Sequence, residues 1–378
     1  MRHSTRGQVD PFIVMDVMEA AQRAEAQGRH IIHMEVGQPG TPAPEGARRA
    51  LAAALDQPLG YTSALGLPAL RQGIADLYRR WYGVDLDPGR VVVTSGSSGA
   101  FLLAFSALFD AGDRVAMGFP GYPSYRQILK AMSLEPVGIQ TRAEDRYQPR
   151  PDDIPDGVQG LILASPGNPS GTVLSVPELR ALTDAAQAKG VAVISDEIYH
   201  GLSYGDRCHS ALEVTNEVFV VNSFSKYFSM TGWRIGWMVV PPEQVRTVER
   251  LAQNMFICPP HASQIAALAA LDCTDEAEAN LAVYAENRRL MLQELPKAGF
   301  DRIAPPEGAF YVYADVSHLT DDSVALAAEI LKHAGVAVTP GLDFDPVRGG
   351  QTLRFSYARA TADIAEGLRR LTEYMARR

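Results

Sequence analysis

The sequence is poor in cysteine and has no excess of positive charge. Its three cysteines, Cys208, Cys258 and Cys273, form neither a C-x-x-C pair nor a spaced Cys/His set. Nothing in their spacing therefore indicates a zinc site or a disulfide framework, and no metal is expected. The formal net charge of −9, from 35 basic and 44 acidic residues, argues against a nucleic-acid or anionic membrane surface. We expect a small-molecule partner and a reducing, cytoplasmic environment.

A long membrane-type apolar run is also missing. The longest uncharged stretch, "VVVTSGSSGAFLLAFSALF" at 91–109, carries Thr-Ser-Gly-Ser-Ser-Gly where a membrane span would be most apolar. The N-terminal "MRHSTRGQVD" is polar, and Asp16 interrupts the apolar stretch that follows it, so we expect no signal peptide. With 46% apolar and 21% charged residues, the composition is typical of a globular protein with a large core.

Short apolar runs alternate with helix-length segments along the chain. The runs are "RVVVTS", "RVAMGF", "LILASP", "VAVISD" and "VFVVNS". Such runs can be buried on both faces, so their alternation with helices predicts an α/β fold with a mostly parallel sheet covered by helices on both sides. Distinctive polar residues follow these runs: Ser97, Ser98, Tyr122, Asn168, Asp196, Tyr199, Ser223 and Lys226. Open α/β sheets bind ligands beyond the carboxyl ends of their strands, so we expect these residues to share one site.

The remaining segments predict a second, smaller α+β domain built from both chain ends. Their patterns predict three strands around a helix: the strands are "GAFYVYADVS", "GVAVTP" and "TLRFSYA", and the helix is "SVALAAEILKHAG". We expect a large domain at 46–275 and a small domain made of 1–45 and 276–378.

Lys226 lies in "VFVVNSFSKYFSMTGWRIG", between aromatic residues and before a Gly-Trp-Arg-Ile-Gly turn. A lysine after a strand is usually solvated, but an enclosed one loses its proton more readily and becomes a nucleophilic amine. "SGSSGA" at 95–100 joins a strand to a helix and could cradle a phosphate, with Ser223, Ser225 and Arg234 as further ligands. Taken singly, Asp196 is as typical of a helix cap as of a functional residue. In the same way, Tyr122 and Asn168 are as typical of turns as of a binding site.

The ordered set "VTSGSSGA", "ASPGNPSG", "SDEIY", "SFSKYFSMTGWRIG" and "LRFSYA" resembles the successive signatures of the class I/II aminotransferases, which have the aspartate aminotransferase fold (fold type I). The resemblance extends over nearly the whole chain, from "MEVGQP" to "RFSYA". It implies a seven-stranded large-domain sheet and the cofactor pyridoxal 5'-phosphate.

By this resemblance, Lys226 holds the cofactor as a Schiff base and moves the proton at the substrate's α-carbon. Asp196 pairs with the pyridine nitrogen, Tyr199 and Asn168 bond the ring's phenolic oxygen, and Tyr122 stacks on the ring. The phosphate is held by Ser97, Ser98, Ser223, Ser225 and Arg234.

The resemblance also implies roles in substrate binding and assembly. Arg354 in "LRFSYA" grips the substrate carboxylate, and Gly37 in "EVGQP" lines the same carboxylate. Tyr61 in "GYTSALGLPALR" reaches the phosphate of a neighbouring subunit, which implies a homodimer. The partners are then an amino acid and a 2-oxo acid.

Several positions depart from the family pattern. "PGLDFDP" puts Asp343 and Asp345 in a loop near the substrate entrance, and an inward-pointing acidic loop would disfavour a dicarboxylic substrate. No second arginine for a distal carboxylate is evident, and Arg6 and Arg359 have no support. By the resemblance, the side-chain pocket is bordered by the segments that contain Phe12, Ile13 and Phe310. These residues weakly favour apolar or mixed amino acids as substrates.

Three functions remain open from the sequence. The first, which we favour, is an aminotransferase working by a ping-pong route. The second is a carbon–sulfur β-lyase on the same scaffold, because the surroundings of the substrate carbanion decide between the two. The third is an amino-acid-sensing regulator, which the net charge and the short N-terminal segment disfavour. His30, His33, His200 and His261 are interpreted as structural or surface groups. The particular donor and acceptor are not evident.

Overall fold

The structure is a computed structural model that describes residues 2–378. The strands are, in chain order, β1 (Ile32–His33), β2 (Val91–Thr94), β3 (Arg114–Phe119), β4 (Glu135–Gln140), β5 (Gly160–Ala164), β6 (Ala192–Asp196), β7 (Phe219–Ser223), β8 (Gly236–Val239), β9 (Arg302–Ile303), β10 (Tyr311–Asp315), β11 (Val336–Ala337), β12 (Thr339–Pro340) and β13 (Thr352–Ser356). The α-helices are α1 (Ile13–Ala26), α2 (Glu45–Ala54), α3 (Pro68–Tyr82), α4 (Gly96–Leu108), α5 (Pro123–Ala131), α6 (Val176–Ala188), α7 (Val245–Met255), α8 (His261–Ala270), α9 (Thr274–Glu294), α10 (Ser323–Ala334) and α11 (Thr361–Met375).

A seven-stranded sheet forms the centre of the molecule, in the order β2-β8-β7-β6-β5-β3-β4. Only β8 runs against its neighbours, and the other strands are parallel, which confirms the predicted fold class. Side chains of β7 alternate between two hydrophobic cores: Val220 packs in one, and Phe219 and Val221 pack in the other. Both faces are therefore buried, which is why these strands read as continuous apolar runs.

Two strands of this sheet were not predicted. β4, "EPVGIQ", lies at the sheet edge, is largely accessible to solvent and contains Pro136, so it lacks an apolar run. β8, "GWMV", is a short buried segment directly after the Gly-Trp-Arg-Ile-Gly turn, and it returns antiparallel to β7. Neither strand carries the alternation of buried run and helix from which the other five were predicted.

Local sequence explains why helix α6 starts where it does. At the start of α6, the Ser175 hydroxyl accepts from the backbone N–H of Glu178, and the Glu178 carboxylate accepts from the backbone N–H of Ser175. Pro177 lies in the first turn, where its missing N–H costs nothing. Helix α6 is one of the helix-length segments that separate the apolar runs.

The strands near the chain ends form two further sheets. β12, β13, β10 and β9 make an antiparallel sheet in that order, and β1 pairs in parallel with β11. The predicted strands "GAFYVYADVS" and "TLRFSYA" correspond to β10 and β13, and "GVAVTP" splits into β11 and β12. The N-terminal strand thus joins the C-terminal part of the chain, while the domain boundaries at 45/46 and 275/276 stay a prediction.

Candidate active site

A cavity of about 470 Å³ lies at the carboxyl ends of the parallel strands, between the large sheet and strands β10 and β13. Eleven of the site residues named from the sequence line it: Gly37, Ser97, Ser98, Tyr122, Asn168, Asp196, Tyr199, Ser225, Lys226, Arg234 and Arg354. Seven of the eight polar residues expected after the strands are among them, and Ser223 is not. Their individual roles stay predictions.

Lys226 lies three residues beyond the end of β7, and its Nζ donates to the Gly37 carbonyl oxygen at 2.7 Å. The ring centroids of Tyr199 and Phe310 lie 5.8 and 6.0 Å from Nζ. Burial lowers the pKa of Lys226 to about 8, with further lowering by the guanidinium groups of Arg354 and Arg234 and an opposing effect of Asp196. An appreciable fraction of this amine is therefore uncharged and nucleophilic near neutral pH.

Asp196 is the last residue of β6, and its carboxylate is buried. Oδ1 accepts from the backbone N–H of Ile198 at 3.1 Å, and Oδ2 accepts from the Tyr125 hydroxyl. Burial raises the pKa of Asp196 to about 6, against the lowering effect of the Tyr125 and Ile198 hydrogen bonds and of Lys226. A buried carboxylate with only two donors is a suitable partner for a cationic group in the cavity.

Arg354 projects from β13, is buried and lies close to two aromatic rings. Its Cζ lies 4.3 Å from the Tyr311 ring centroid and 4.7 Å from that of Phe344. Nη1 donates to Asn168 Oδ1 at 2.9 Å, and Nη2 donates to the carbonyl oxygen of Glu35. Because these ring contacts and hydrogen bonds hold the guanidinium, its orientation is set before any substrate carboxylate arrives.

The start of helix α4 supplies an anion-binding end to the cavity. Ser97 and Ser98 lie in its first turn, where the backbone N–H groups have no partner within the helix. Gly96 has φ +71°, and a Cβ at this position would lie 2.5 Å from Arg234 Nη2. Only glycine lets the guanidinium approach the helix start this closely. Amides, hydroxyls and a guanidinium are the donors that a phosphate requires, so this end of the cavity fits the phosphate of pyridoxal 5'-phosphate.

Two of the named cofactor residues do not line the cavity. Ser223 lies behind it, with its hydroxyl donating to the Ile235 carbonyl oxygen at 3.1 Å and lying 2.8 Å from Ser225 Oγ. Tyr61 is 83% exposed and lies at a separate surface pocket beside Ile257 and Cys258. A direct role of Ser223 in phosphate binding thus has no support from the geometry, and within one chain Tyr61 does not reach the cavity.

Sequence reasoning missed two tyrosines of the cavity, Tyr125 and Tyr311. Tyr122 stands at the N-cap of α5 and Tyr125 lies in its first turn, and their rings meet edge to face at 5.3 Å. The Tyr311 hydroxyl lies 2.8 Å from the Tyr199 hydroxyl. The i, i+3 spacing was a usable signal for Tyr125, whereas the position of Tyr311 depends on the pairing of β10 with β13.

The acidic loop is buried and does not line the cavity. Asp343 accepts from the backbone N–H groups of Ile13 and Val14 at 3.2 and 3.1 Å. Asp345 accepts from the backbone N–H groups of Val347 and Arg348 and pairs with the Arg348 guanidinium at 3.0 Å. Both carboxylates are thus occupied by protein donors, so direct repulsion of a dicarboxylic substrate has no support.

The other positions considered from the sequence divide into two groups. Phe12 lines the cavity, and Phe310 is fully buried near Lys226. The remaining ones do not line it: Arg6, Ile13, His30, His33, His200, His261 and Arg359. His200 is buried against Tyr82 Oη and the Ser165 carbonyl oxygen, and burial lowers its pKa to about 3, so it is neutral.

Comparison with known proteins decides which family this site belongs to. The model of the family described as aminotransferase class I and II matches residues 29–371. The chain belongs to the class I and II aminotransferases. Its similarity to a valine–pyruvate aminotransferase of Mycobacterium tuberculosis is 48% identity over 99% of this chain and 98% of the relative.

Solved structures agree with this membership. A crystal structure from Silicibacter pomeroyi, described there as a candidate aminotransferase, has a TM-score of 0.96 and 68% identity, with both chains fully covered. The aspartate aminotransferase of Thermus thermophilus, solved with maleate, has a TM-score of 0.91 and 31% identity over 99% of this chain and all of that one. The aspartate aminotransferase-like fold expected from the motifs is confirmed.

Membership in this family answers the question of reaction type. The relatives are named aminotransferases, so the protein is an aminotransferase, and the β-lyase alternative is not favoured. Across residues 2–378, no group of three or more His, Cys, Asp or Glu side chains is arranged to hold a metal ion. In the same range, none of the helices combines the length and apolar character needed to cross a bilayer.

Proposed function

We propose that this aminotransferase binds pyridoxal 5'-phosphate in the cavity through Lys226 and moves an amino group from an amino acid to a 2-oxo acid by a ping-pong route. The observation that carries the proposal is that the Lys226 amine and the Asp196 carboxylate, both with pKa values displaced by burial, line the same cavity. When bound, the cofactor supplies an electron-withdrawing ring that stabilises negative charge at the substrate's α-carbon.

The residues that line the cavity have separate roles in proton transfer and in holding the cofactor. Lys226, as a neutral amine, takes the proton from the substrate's α-carbon and returns one later in the half-reaction. Asp196 would pair with the ring nitrogen and keep it protonated, and Tyr125 holds that carboxylate in place through its hydroxyl. Tyr199 and Asn168 would hold the cofactor's phenolic oxygen, and Tyr122 would pack against its ring.

Arg354 binds the substrate carboxylate with its planar guanidinium, which Asn168 and Tyr311 orient. The cavity's other cationic residues are Lys226 and Arg234, which the proposal assigns to the cofactor. Among residues 2–378, no further cation that lines the cavity is then left for a distal carboxylate. Phe12, Val14 and Met15 line the cavity, so the substrate class we propose is amino acids with apolar side chains. The valine–pyruvate activity named for the Mycobacterium tuberculosis relative supports the same class.

We also propose that two copies of the chain assemble and that Tyr61 of each contributes to the other's phosphate site. Its 83% exposure supports this assignment, as do the exposed apolar side chains Leu59 and Ile257 beside it. Light scattering gives the assembly mass, and Tyr61→Phe is expected to weaken cofactor binding without changing that mass.

The three free cysteines support a reducing location, which we propose is the cytoplasm.

The deciding experiment is a half-reaction with purified, cofactor-loaded protein and single amino acids in the absence of oxo acid. We expect one equivalent of oxo acid per site from valine, followed by a stop until pyruvate is added. Continuous release of ammonia and pyruvate from a β-substituted amino acid would instead establish a lyase. Aspartate serves as the dicarboxylic control and is expected to react more slowly than valine.

A further inference from the structure

Helix α1 forms part of the cavity wall, yet no residue of its own caps its start. Phe12 stands at the N-cap position and supplies no side-chain hydrogen bond. Phe12, Val14 and Met15 all line the cavity, and Met15 stays 47% exposed at its rim. The position of this first turn therefore determines the shape of the apolar wall.

The missing cap comes from a loop more than three hundred residues away. Asp343, which ends the short 3-10 turn Gly341–Asp343, is buried, and its two carboxylate oxygens accept separately from the N–H groups of Ile13 and Val14. A carboxylate suits the positive end of a helix, and a charged acceptor makes a stronger hydrogen bond than a neutral one. This cap ties the beginning of α1 to the loop that follows β12.

The same loop is fixed to the rest of the cavity. Arg126 of α5 donates to the carbonyl oxygens of Asp343 and Phe344, and the Phe344 ring lies against the Arg354 guanidinium. From the other side, the Phe12 ring meets Tyr122 edge to face at 6.0 Å. The loop thus sets the distance between the apolar wall and the arginine proposed to bind the carboxylate.

A second link, between the residues just before α1 and helix α5, is weaker. Lys130 Nζ donates to Asp10 Oδ2 at 2.7 Å, but both side chains are largely exposed. Exposed ion pairs hold little free energy because water and salt compete for both charges. Of these two links, the buried cap at Asp343 is therefore the one that holds the start of α1 more strongly.

We propose that Asp343 is a positioning residue for substrate specificity, which it sets by holding Phe12 and Met15 over the part of the cavity that receives the substrate side chain. The inference rests on the function proposed above. A branched donor such as valine reaches the wall, whereas alanine is too short to depend on it. Contact with a single methylene changes the specificity constant by about 10-fold or more.

Asp343→Asn tests the proposal because it keeps the shape of the side chain but turns one acceptor into a donor that faces an N–H group. Asp345→Asn is the matched control, because it alters an equally buried carboxylate of the same loop that bonds only within the loop. We expect Asp343→Asn to lower the ratio of kcat/KM for valine over alanine by about 10-fold, mostly through KM. Asp345→Asn should leave this ratio unchanged.

Hydrogen exchange of the holoenzyme provides a readout independent of activity. Exchange at the amides of Ile13 and Val14 should quicken in Asp343→Asn and stay as in the wild type in Asp345→Asn. An unchanged ratio in Asp343→Asn, or an equal loss in both variants, would overturn the proposal. If Asp343→Asn does not fold, Phe12→Ala takes its place as the test. The proposal then requires that Phe12→Ala lower the ratio of kcat/KM for valine over alanine without faster hydrogen exchange at the amides of α1. An unchanged ratio in Phe12→Ala refutes the proposal. Failure of the wild type to convert either donor would instead count against the proposed function.

Discussion

Replacing the buried carboxylate of Asp196 with an amide should stabilise the cofactor-free protein at neutral pH. Burial raises the pKa of Asp196 from 3.8 to about 6, which corresponds to about 3 kcal/mol. Because the folded-state pKa is the higher one, the native state binds more protons between these values. Stability therefore falls as the pH rises from about 4 to about 6 and stays level above that.

Asparagine removes this cost because it carries no charge. The difference in unfolding free energy between Asp196→Asn and the wild type should be near zero at pH 4 and grow to about 2–3 kcal/mol above pH 7. The upper value is reduced because the amide keeps only one of the two acceptors that Ile198 and Tyr125 use. Denaturant unfolding of both cofactor-free proteins, at equal concentration and at several pH values, measures this difference.

The cofactor should reverse the order of stability, so that the wild type becomes more stable than Asp196→Asn. If Asp196 faces a protonated ring nitrogen, the wild type gains more stability from pyridoxal 5'-phosphate than Asp196→Asn does, and the variant loses most of its turnover. A difference in unfolding free energy that stays constant with pH would refute the account of the pKa. Equal stabilisation of both proteins by the cofactor would refute the pairing with the ring.

Three further substitutions test other parts of the site. Lys226→Ala should abolish turnover and still bind the cofactor non-covalently, as measured by equilibrium dialysis, and retained turnover would contradict the role of the amine. Arg354→Lys loses the planar guanidinium and should raise KM for the amino acid about 100-fold with little change in cofactor affinity. Gly96→Ala puts a Cβ 2.5 Å from Arg234 Nη2 at φ +71°, so we expect cofactor binding to weaken about 10-fold while pyridoxal, which lacks the phosphate, binds as in the wild type.

The large sheet and much of the cavity lining were predictable because their signals are local. An apolar run marks a buried strand, and the residue after it marks the strand's carboxyl end, so Asp196 and Lys226 were brought into one site by topology alone. The same logic failed at the sheet edge, where β4 is exposed and carries Pro136, and at β8, where a short segment reverses direction. It also placed Ser223 in the cavity, whereas its hydroxyl lies behind it.

What the sequence determined by itself is the family, the positions of the main strands along the chain and the identity of the residues at their ends. Only the tertiary structure decided which groups meet across large separations. Tyr125 bonds a carboxylate 71 residues away, Tyr199 bonds Tyr311 across 112 residues, and Asp343 caps a helix 329 residues earlier. The position of Tyr311 depends on strand register, because a shift of β10 by one residue would turn its side chain to the opposite face. The other contacts depend on how the elements that carry them pack against one another.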